Sequence, residues 1–243
     1  MLIPVIDLLN DFNIKPKKIL HVGAHLAEES EDYNKYFNAP IVWIEAQSKI
    51  CLQLKKKLNL KNNTIIEACI SDKDGELLSF NVSSNSQSSS LLNFGSHLMN
   101  HPEVTVTEVA KVRTKRLDTV LSGRKDFDFI NLDIQGVELR ALKSLGEMIN
   151  QIQVVYTEVN RRQVYENCDL IQDLDQFLKF HDFKRIATRW KVGSGWGDAL
   201  YVKRNFKRRS FLQFFRSNYK QFKFYLPQVK SILNKRSLLS NFI

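Results

Sequence analysis

From residue 17 to residue 202, short apolar runs alternate with longer amphipathic stretches, and this alternation restricts the possible folds more than any other feature of the chain. Runs at 19–22, 41–44, 64–70, 127–132 and 154–158 read as strands, and a further strand at 77–82 follows the turn Asp72-Lys73-Asp74-Gly75. Stretches at 28–37, 49–58, 137–149 and 169–180 carry helical spacing. Ser48 is placed to cap the second of these, and Leu170, Leu174, Phe177 and Leu178 share one face of the fourth. Strands at 184–188 and 199–203 bracket the loop Gly193-Ser194-Gly195-Trp196-Gly197. Strands separated by helices imply βαβ units, so the expected class is α/β, a mainly parallel Rossmann-like sheet with helices on both faces.

Charge divides the chain. The net charge is +10, yet residues 203–243 hold 11 Lys or Arg and no Asp or Glu, which leaves a net of −1 over 1–202. A near-neutral body with a cationic tail is expected, not a uniformly basic nucleic-acid-binding surface. The expected division is a helical lead-in over 1–16, a domain over 17–204 and a basic tail over 205–243. Three cysteines, Cys51, Cys69 and Cys168, exclude a disulfide framework or a Cys-rich zinc module and fit a reducing compartment. The first residues show no basic segment before their apolar part and no clear cleavage site, so a cytoplasmic location is expected.

In a doubly wound sheet, ligands bind beyond the carboxyl ends of the central strands. Gly23 follows the first strand, where a missing Cβ lets the backbone approach a ligand. Glu45 ends the second strand, placed to accept the hydroxyls of an adenosine ribose. Ser71-Asp72 follows the third, where an adenine edge is met, and Asp133 ends the fourth beside the reacting group. Each also has an ordinary reading as a turn or a helix cap. The first turn, Gly23-Ala24-His25-Leu26-Ala27, lacks G-x-G-x-x-G, which favours a nucleoside ligand without a pyrophosphate, such as S-adenosylmethionine.

The segments HVGAHLAEE (21–29), VWIEAQ (42–47), ACISDKDGE (68–76), RLDTVL (116–121), DFINLDIQGVELRALKSL (128–145), VVYTEVN (154–160) and GDALYVK (197–203) resemble the FkbM family of S-adenosylmethionine-dependent methyltransferases, in that family's order. The likeness spans about 17–204, and its most specific piece is Leu132 to Glu138, similar to I-D-x-x-G-x-E. It implies a class I methyltransferase sheet of seven strands, the last antiparallel. It also implies that Gly23, Ala24 and His25 meet the methionine part of the cofactor, that Glu45 with Ala46 holds the ribose, and that Ser71 and Asp72 lie near the adenine. The family commonly has Asp at the place of His21, Asn at that of His25 and Gly at that of Ala27, although one group within it reads H-V-G-A-H.

Methyl transfer from a sulfonium to an alcohol asks the protein for orientation and for a group that takes the hydroxyl proton. Asp133, Glu138, Glu158 and His25 are the candidates. Glu138 is equally well read as a charge favoured at a helix N-terminus. Glu158 and Asn160 are placed to bind acceptor hydroxyls; a divalent metal held with Asp133 is the weaker reading, and no metal is expected. His21 reads as a core residue, and His97, His101 and His181 as surface or structural. Trp196 reads as a hairpin tip, with stacking on a sugar as the alternative. The tract 83–90, SSNSQSSS, reads as a mobile surface loop, with a substrate-facing loop as the alternative. The loop after strand four lacks the Asn/Asp-Pro-Pro-aromatic pattern of base amino methylation, and no cysteine follows a proline as cytosine C5 chemistry wants. The resemblance implies oxygen methylation of a saccharide or similar hydroxyl acceptor; the alternatives are a non-catalytic or membrane-associated module on the same fold and a nucleic-acid methyltransferase guided by the basic tail. In the tail, Phe211, Phe214, Phe215, Tyr219, Phe222, Tyr225 and Leu226 share one helical face against Arg209, Arg216, Lys220 and Lys223. A basic amphipathic helix over 209–226 suits an anionic membrane surface or packing against protein; a nucleic-acid partner is not favoured.

Overall fold

A computed structural model gives the fold and describes residues 1–96, 98, 101–124 and 126–208. The basic stretch 209–226 and His97 lie outside the described residues. In chain order the strands are β1 (Ile19–Val22), β2 (Ile41–Glu45), β3 (Asn63–Glu67), β4 (Cys69–Ile70), β5 (Leu77–Ser83), β6 (Val106–Lys115), β7 (Phe129–Leu132), β8 (Val154–Asn160), β9 (Phe183–Trp190) and β10 (Trp196–Lys203). The helices are α1 (Val5–Asp11), α2 (Ser30–Tyr36), α3 (Ser48–Lys57), α4 (Leu117–Val120), α5 (Glu138–Lys143) and α6 (Ile171–Phe180). Among the described residues no helix is long and apolar enough to cross a membrane.

Seven strands form one sheet in the order β3-β2-β1-β7-β8-β10-β9. The pairs from β3 to β8 are parallel, and β10 runs antiparallel to both β8 and β9. The strand order therefore reverses between β1 and β7, which opens a crevice at their carboxyl ends. This is a seven-stranded Rossmann-like sheet with a reversed late strand, the architecture that the sequence resemblance implies. Strands β1, β2, β7 and β8 are buried along their whole length, as helices on both faces require, and so they read as mainly apolar runs. Leu20, Ile44, Ile130, Leu142, Val155 and Leu174 belong to one core that joins the sheet to α5 and α6.

Four expectations change. The run 64–70 is two strands: β3 stays in the main sheet, while β4 leaves it and pairs with the end of β6. β6 itself was not anticipated. Its valines stand at 106, 109 and 112, off the two-residue period, and of its side chains only Thr114 is buried, so its ladder to β5 holds it. The helix expected over 137–149 stops at Lys143 and gives way to a 3₁₀ turn, Gly146–Asn150, because Gly146 takes φ +52°. Ser48 does not cap α3; it is the first helical residue, and its hydroxyl donates to Glu67 Oε1.

The chain divides into two compact units, residues 1–6 with 15–206, and residues 7–14 with 207–243. In the second, Arg208 Nη2 donates to Asp11 Oδ2 at 2.6 Å.

Candidate active site

A cavity of about 560 Å³ lies where the strand order reverses, a volume suited to a nucleoside-sized ligand. Gly23, Ala24 and His25 line it, as do Glu45, Ala46, Asp133 and Glu158. The turn after β1 is tied to β2, since Gly23 and Ala24 both donate to the Ile44 carbonyl, at 2.9 and 3.0 Å. Glu45 completes that tie: Oε2 accepts the His25 N–H and Oε1 the Gln47 N–H, each at 2.9 Å. Burial raises the Glu45 pKa, and those two N–H groups oppose the rise. Each oxygen keeps a second lone pair for a hydroxyl donor in the cavity.

Gly23 has a packing reason beside the expected one. A Cβ there would stand 1.8 Å from the Asp133 carbonyl oxygen, and φ is +84°. The bare α-carbon lets the end of β7 approach, and the residue also lines the cavity. Ser71 and Asp72 are corrected. Ser71 is buried with its N–H on the Lys115 carbonyl and its hydroxyl on Asp72, and the cavity wall at this point is Ala68, Cys69 and Ile70.

The loop after β7 carries a group that the sequence reading passed over. Gln135 Nε2 donates to Asp133 Oδ1 at 2.5 Å and to Glu158 Oε2 at 3.1 Å, while its Oε1 accepts from the Tyr165 hydroxyl. One amide thus holds two carboxylates of like charge in the wall. Asp133 is exposed to the cavity, but its depth in the protein pushes its pKa up to about 6, with the Gln135 amide opposing and Asp198 and Glu29 adding repulsion. Glu158 is pushed up further by burial and by Asp133. The signal for Gln135 was present in the quoted Leu132-Asp133-Ile134-Gln135-Gly136 segment.

Glu138 belongs elsewhere. It is 1% exposed and stands outside the cavity wall. Its oxygens accept the N–H groups of Ile134 and Gly136 at 3.1 Å, so it anchors the loop that carries Gln135 and is not a candidate for touching substrate. Asn160 is fully buried, and both of its amide atoms lack a partner among the described residues. His21 sits in the core against Trp43 at 4.8 Å, kept neutral by burial, with one edge on the cavity.

The serine tract is a wall and not a free loop. Ser88, Ser89 and Ser90 are buried, Ser90 Oγ donates to the Gln135 carbonyl at 2.8 Å, and Ser86 to Ser89 line the cavity. Ser86 Oγ lies 2.7 Å from His25 Nε2. Trp196 is the first residue of β10, packed near Tyr165 and facing the cavity, where His101 and Lys191 also appear. Among the described residues no three His, Cys, Asp or Glu side chains converge as metal ligands.

The wall's five acidic side chains, Glu28, Glu29, Glu45, Asp133 and Glu158, outnumber the Lys191 ammonium and the Met1 amino group, which pairs with Glu29 at 3.7 Å, and this excess suits a cationic sulfonium nucleoside. Glu45 would hold ribose hydroxyls and Ala68 to Ile70 would meet the flat base. Similar solved structures include magnesium protoporphyrin IX methyltransferase from Synechocystis PCC 6803 with bound SAH, at 9% identity over 82% of this chain and 80% of that one, with a TM-score of 0.48. They also include ribosomal protein L11 methylase from Lactobacillus delbrueckii subsp. bulgaricus (10%, 82% and 77%, TM-score 0.46) and precorrin-6y C5,15-methyltransferase from Geobacter metallireducens GS-15 (12%, 83% and 89%, TM-score 0.44). At these identities none of their acceptors transfers to this chain. No relative was found among curated proteins. The model of the methyltransferase FkbM domain matches residues 21–185, about two thirds of the sequence, and so the chain belongs to the FkbM family of S-adenosylmethionine-dependent methyltransferases.

Proposed function

We propose that the chain methylates oxygen, with a hydroxyl of a saccharide or similar metabolite as acceptor. The observation that carries this reading is the part of the cavity wall formed by Glu158, Gln135, Tyr165 and Trp196. Carboxylate and amide oxygens receive hydroxyl donors, and aromatic faces cover the apolar side of a sugar ring. The cofactor supplies the methyl group on a sulfonium. Glu45 orients the cofactor's hydroxyls, the acidic pair of Asp133 and Glu158 favours positive charge near the reacting end, and the serine tract completes the wall. The proposal includes a cytoplasmic enzyme held at an anionic membrane face by the basic stretch 209–226, where lipid-linked glycans would be in reach.

Calorimetric titration with S-adenosylmethionine tests the first half; no binding by the wild-type chain removes the enzyme reading. Mass spectrometry of glycans from producing cells, with the wild-type chain and with Glu45→Ala, tests the second. The expected result is a species heavier by one CH₂ only with the wild type. The same species with both, or with neither, refutes the assignment.

A further inference from the structure

We infer that Glu28, His25 and Ser86 form a proton relay in the cavity wall, in which the Ser86 hydroxyl meets the acceptor and hands its own proton to His25. The inference rests on the hydroxyl-acceptor reading above. His25 is fixed by its backbone, with its N–H on Glu45 Oε2 at 2.9 Å and φ +41°. Its ring is held at both ends, Nδ1 at 2.6 Å from Glu28 Oε1 and Nε2 at 2.7 Å from Ser86 Oγ. An ionised carboxylate only accepts, so the proton sits on Nδ1 and the Nε2 lone pair faces the Ser86 O–H. Partial burial works to raise the Glu28 pKa, but the hydrogen bonds led by His25 outweigh it and hold the group below its ordinary value.

The two outer members are themselves tethered. Gln87 Nε2 donates to Glu28 Oε1, and Gln47 Nε2 donates to the Ser86 carbonyl, both at 3.3 Å. Ser86 opens a 3₁₀ turn, Ser86–Ser88, whose start is capped by Asn85 accepting from the Gln87 N–H at 3.2 Å. All three relay residues line the cavity. A carboxylate that orients an imidazole, which in turn accepts from a hydroxyl, is the arrangement that makes a serine oxygen basic. The Asp133–Glu158 pair stands differently, because Gln135 donates to both of its carboxylates.

The step balances as follows. The acceptor oxygen forms a bond to the methyl carbon as the sulfur–methyl bond breaks, and its electron pair leaves a neutral thioether. The acceptor proton passes to Ser86 Oγ while the Ser86 proton passes to His25 Nε2. The imidazolium is left paired with Glu28, and it returns the proton to water after turnover.

A fluorophosphonate reads the same proton path without any acceptor. Ser86 Oγ forms a bond to phosphorus, fluoride leaves, and the serine proton goes to His25. Peptide mass spectrometry is expected to find Ser86 modified at least about tenfold faster than Ser88, Ser89 or Ser90, and Glu28→Gln to slow that labelling by about tenfold. Glu28 is partly exposed, and unchanged thermal melting of Glu28→Gln would confirm that the fold is intact. Should that variant not fold, long-range proton–nitrogen NMR of the wild type decides: a protonated Nδ1 with a bare Nε2 supports the relay, and the opposite tautomer overturns it. Labelling of Ser86 no faster than of its neighbours also overturns it. Titration of the same sample with S-adenosylmethionine separates the two claims. Binding without an adduct removes the relay alone, and an adduct without binding removes the methyltransferase reading alone.

Discussion

Replacing Glu138 by glutamine separates a carboxylate that builds the site from those that face it. The side chain is 1% exposed, and its oxygens receive the N–H groups of Ile134 and Gly136 at 3.1 Å. Burial pushes its pKa from the ordinary 4.5 to about 8, against the pull of those N–H groups. A carboxyl that titrates near 4.5 when unfolded and near 8 when folded takes up a proton on folding between those values. Its contribution to stability is complete below the unfolded value. It is eroded as pH rises, by at most about 1.4 kcal/mol per pH unit, until the folded group ionises. Glu138→Gln abolishes this titration and keeps an oxygen where Oε1 accepts from both backbone groups. Urea unfolding at pH 5, 6 and 7 should therefore show the variant gaining on the wild type, by up to about 2.7 kcal/mol across the range. Glu138→Ala instead strands two N–H groups and should cost about 2–6 kcal/mol throughout. Cofactor affinity of the glutamine variant at pH 7 should stay within about threefold, because residue 138 is outside the cavity wall. Parallel pH slopes for wild type and Glu138→Gln would refute the argument that this carboxyl is a buried anchor.

Glu45→Gln turns one acceptor into a donor facing a backbone N–H, and calorimetry should show S-adenosylmethionine bound about ten- to a hundredfold more weakly. Gly23→Ala places a Cβ 1.8 Å from the Asp133 carbonyl at φ +84°, and thermal unfolding should register a loss of about 3 kcal/mol or more. Asn160→Leu removes two buried amide atoms that lack partners among the described residues, and urea unfolding should show a gain of about 1 kcal/mol. Gln135→Gly removes the donor shared by Asp133 and Glu158, so the pair holds a proton more tightly in the free protein. Titrations at pH 7 in two buffers of different ionisation enthalpy should then show more protons released on cofactor binding than in the wild type; an equal number refutes the bridging role.

The sheet was readable because its central strands are buried on both faces and therefore write themselves as mainly apolar runs, such as Ile41 to Ile44. The exposed hairpin was not: Val106 and Val109 lie on solvent, and no burial imposes a period on β6. The same contrast holds in the site. Glu45 announces itself by ending a strand, and Asp133 does likewise. Ser86 belongs to a tract whose composition resembles any mobile loop, and its meaning comes from an imidazole 61 residues away in the chain. Glu138 misled for a related reason. A carboxylate in the first turn of a helix looks the same in sequence whether it turns to a cavity or back to the loop before it. Gln135 was hidden by its neutrality, since a search for acids and bases ignores the amide that sets them apart.

The distribution of backbone strain gives independent support to the location of the site. Among the described residues seven non-glycine positions have positive φ: Asn13, His25, Ala27, Asn38, Gln135, Asn167 and Asp182. Four of these are Asn or Asp, which accept the left-handed region through local hydrogen bonds of their short side chains. The other three, His25, Ala27 and Gln135, all stand in the loops that follow β1 and β7. For Ala27 the conformation costs about 1–2 kcal/mol. Glycine in its place would relieve that, but would lose a buried methyl worth about 0.8 kcal/mol and add about 0.5–1 kcal/mol of chain entropy, so selection for stability alone has little to gain there. At 25 and 135 no such exchange is open, because glycine would discard the imidazole that joins Glu28 to Ser86 and the amide that joins Asp133 to Glu158. Strain persists where a side chain does something that an easier residue at the same backbone angle cannot do. On this criterion the two loops are set by what they hold in the cavity, and the rest of the fold is set by packing.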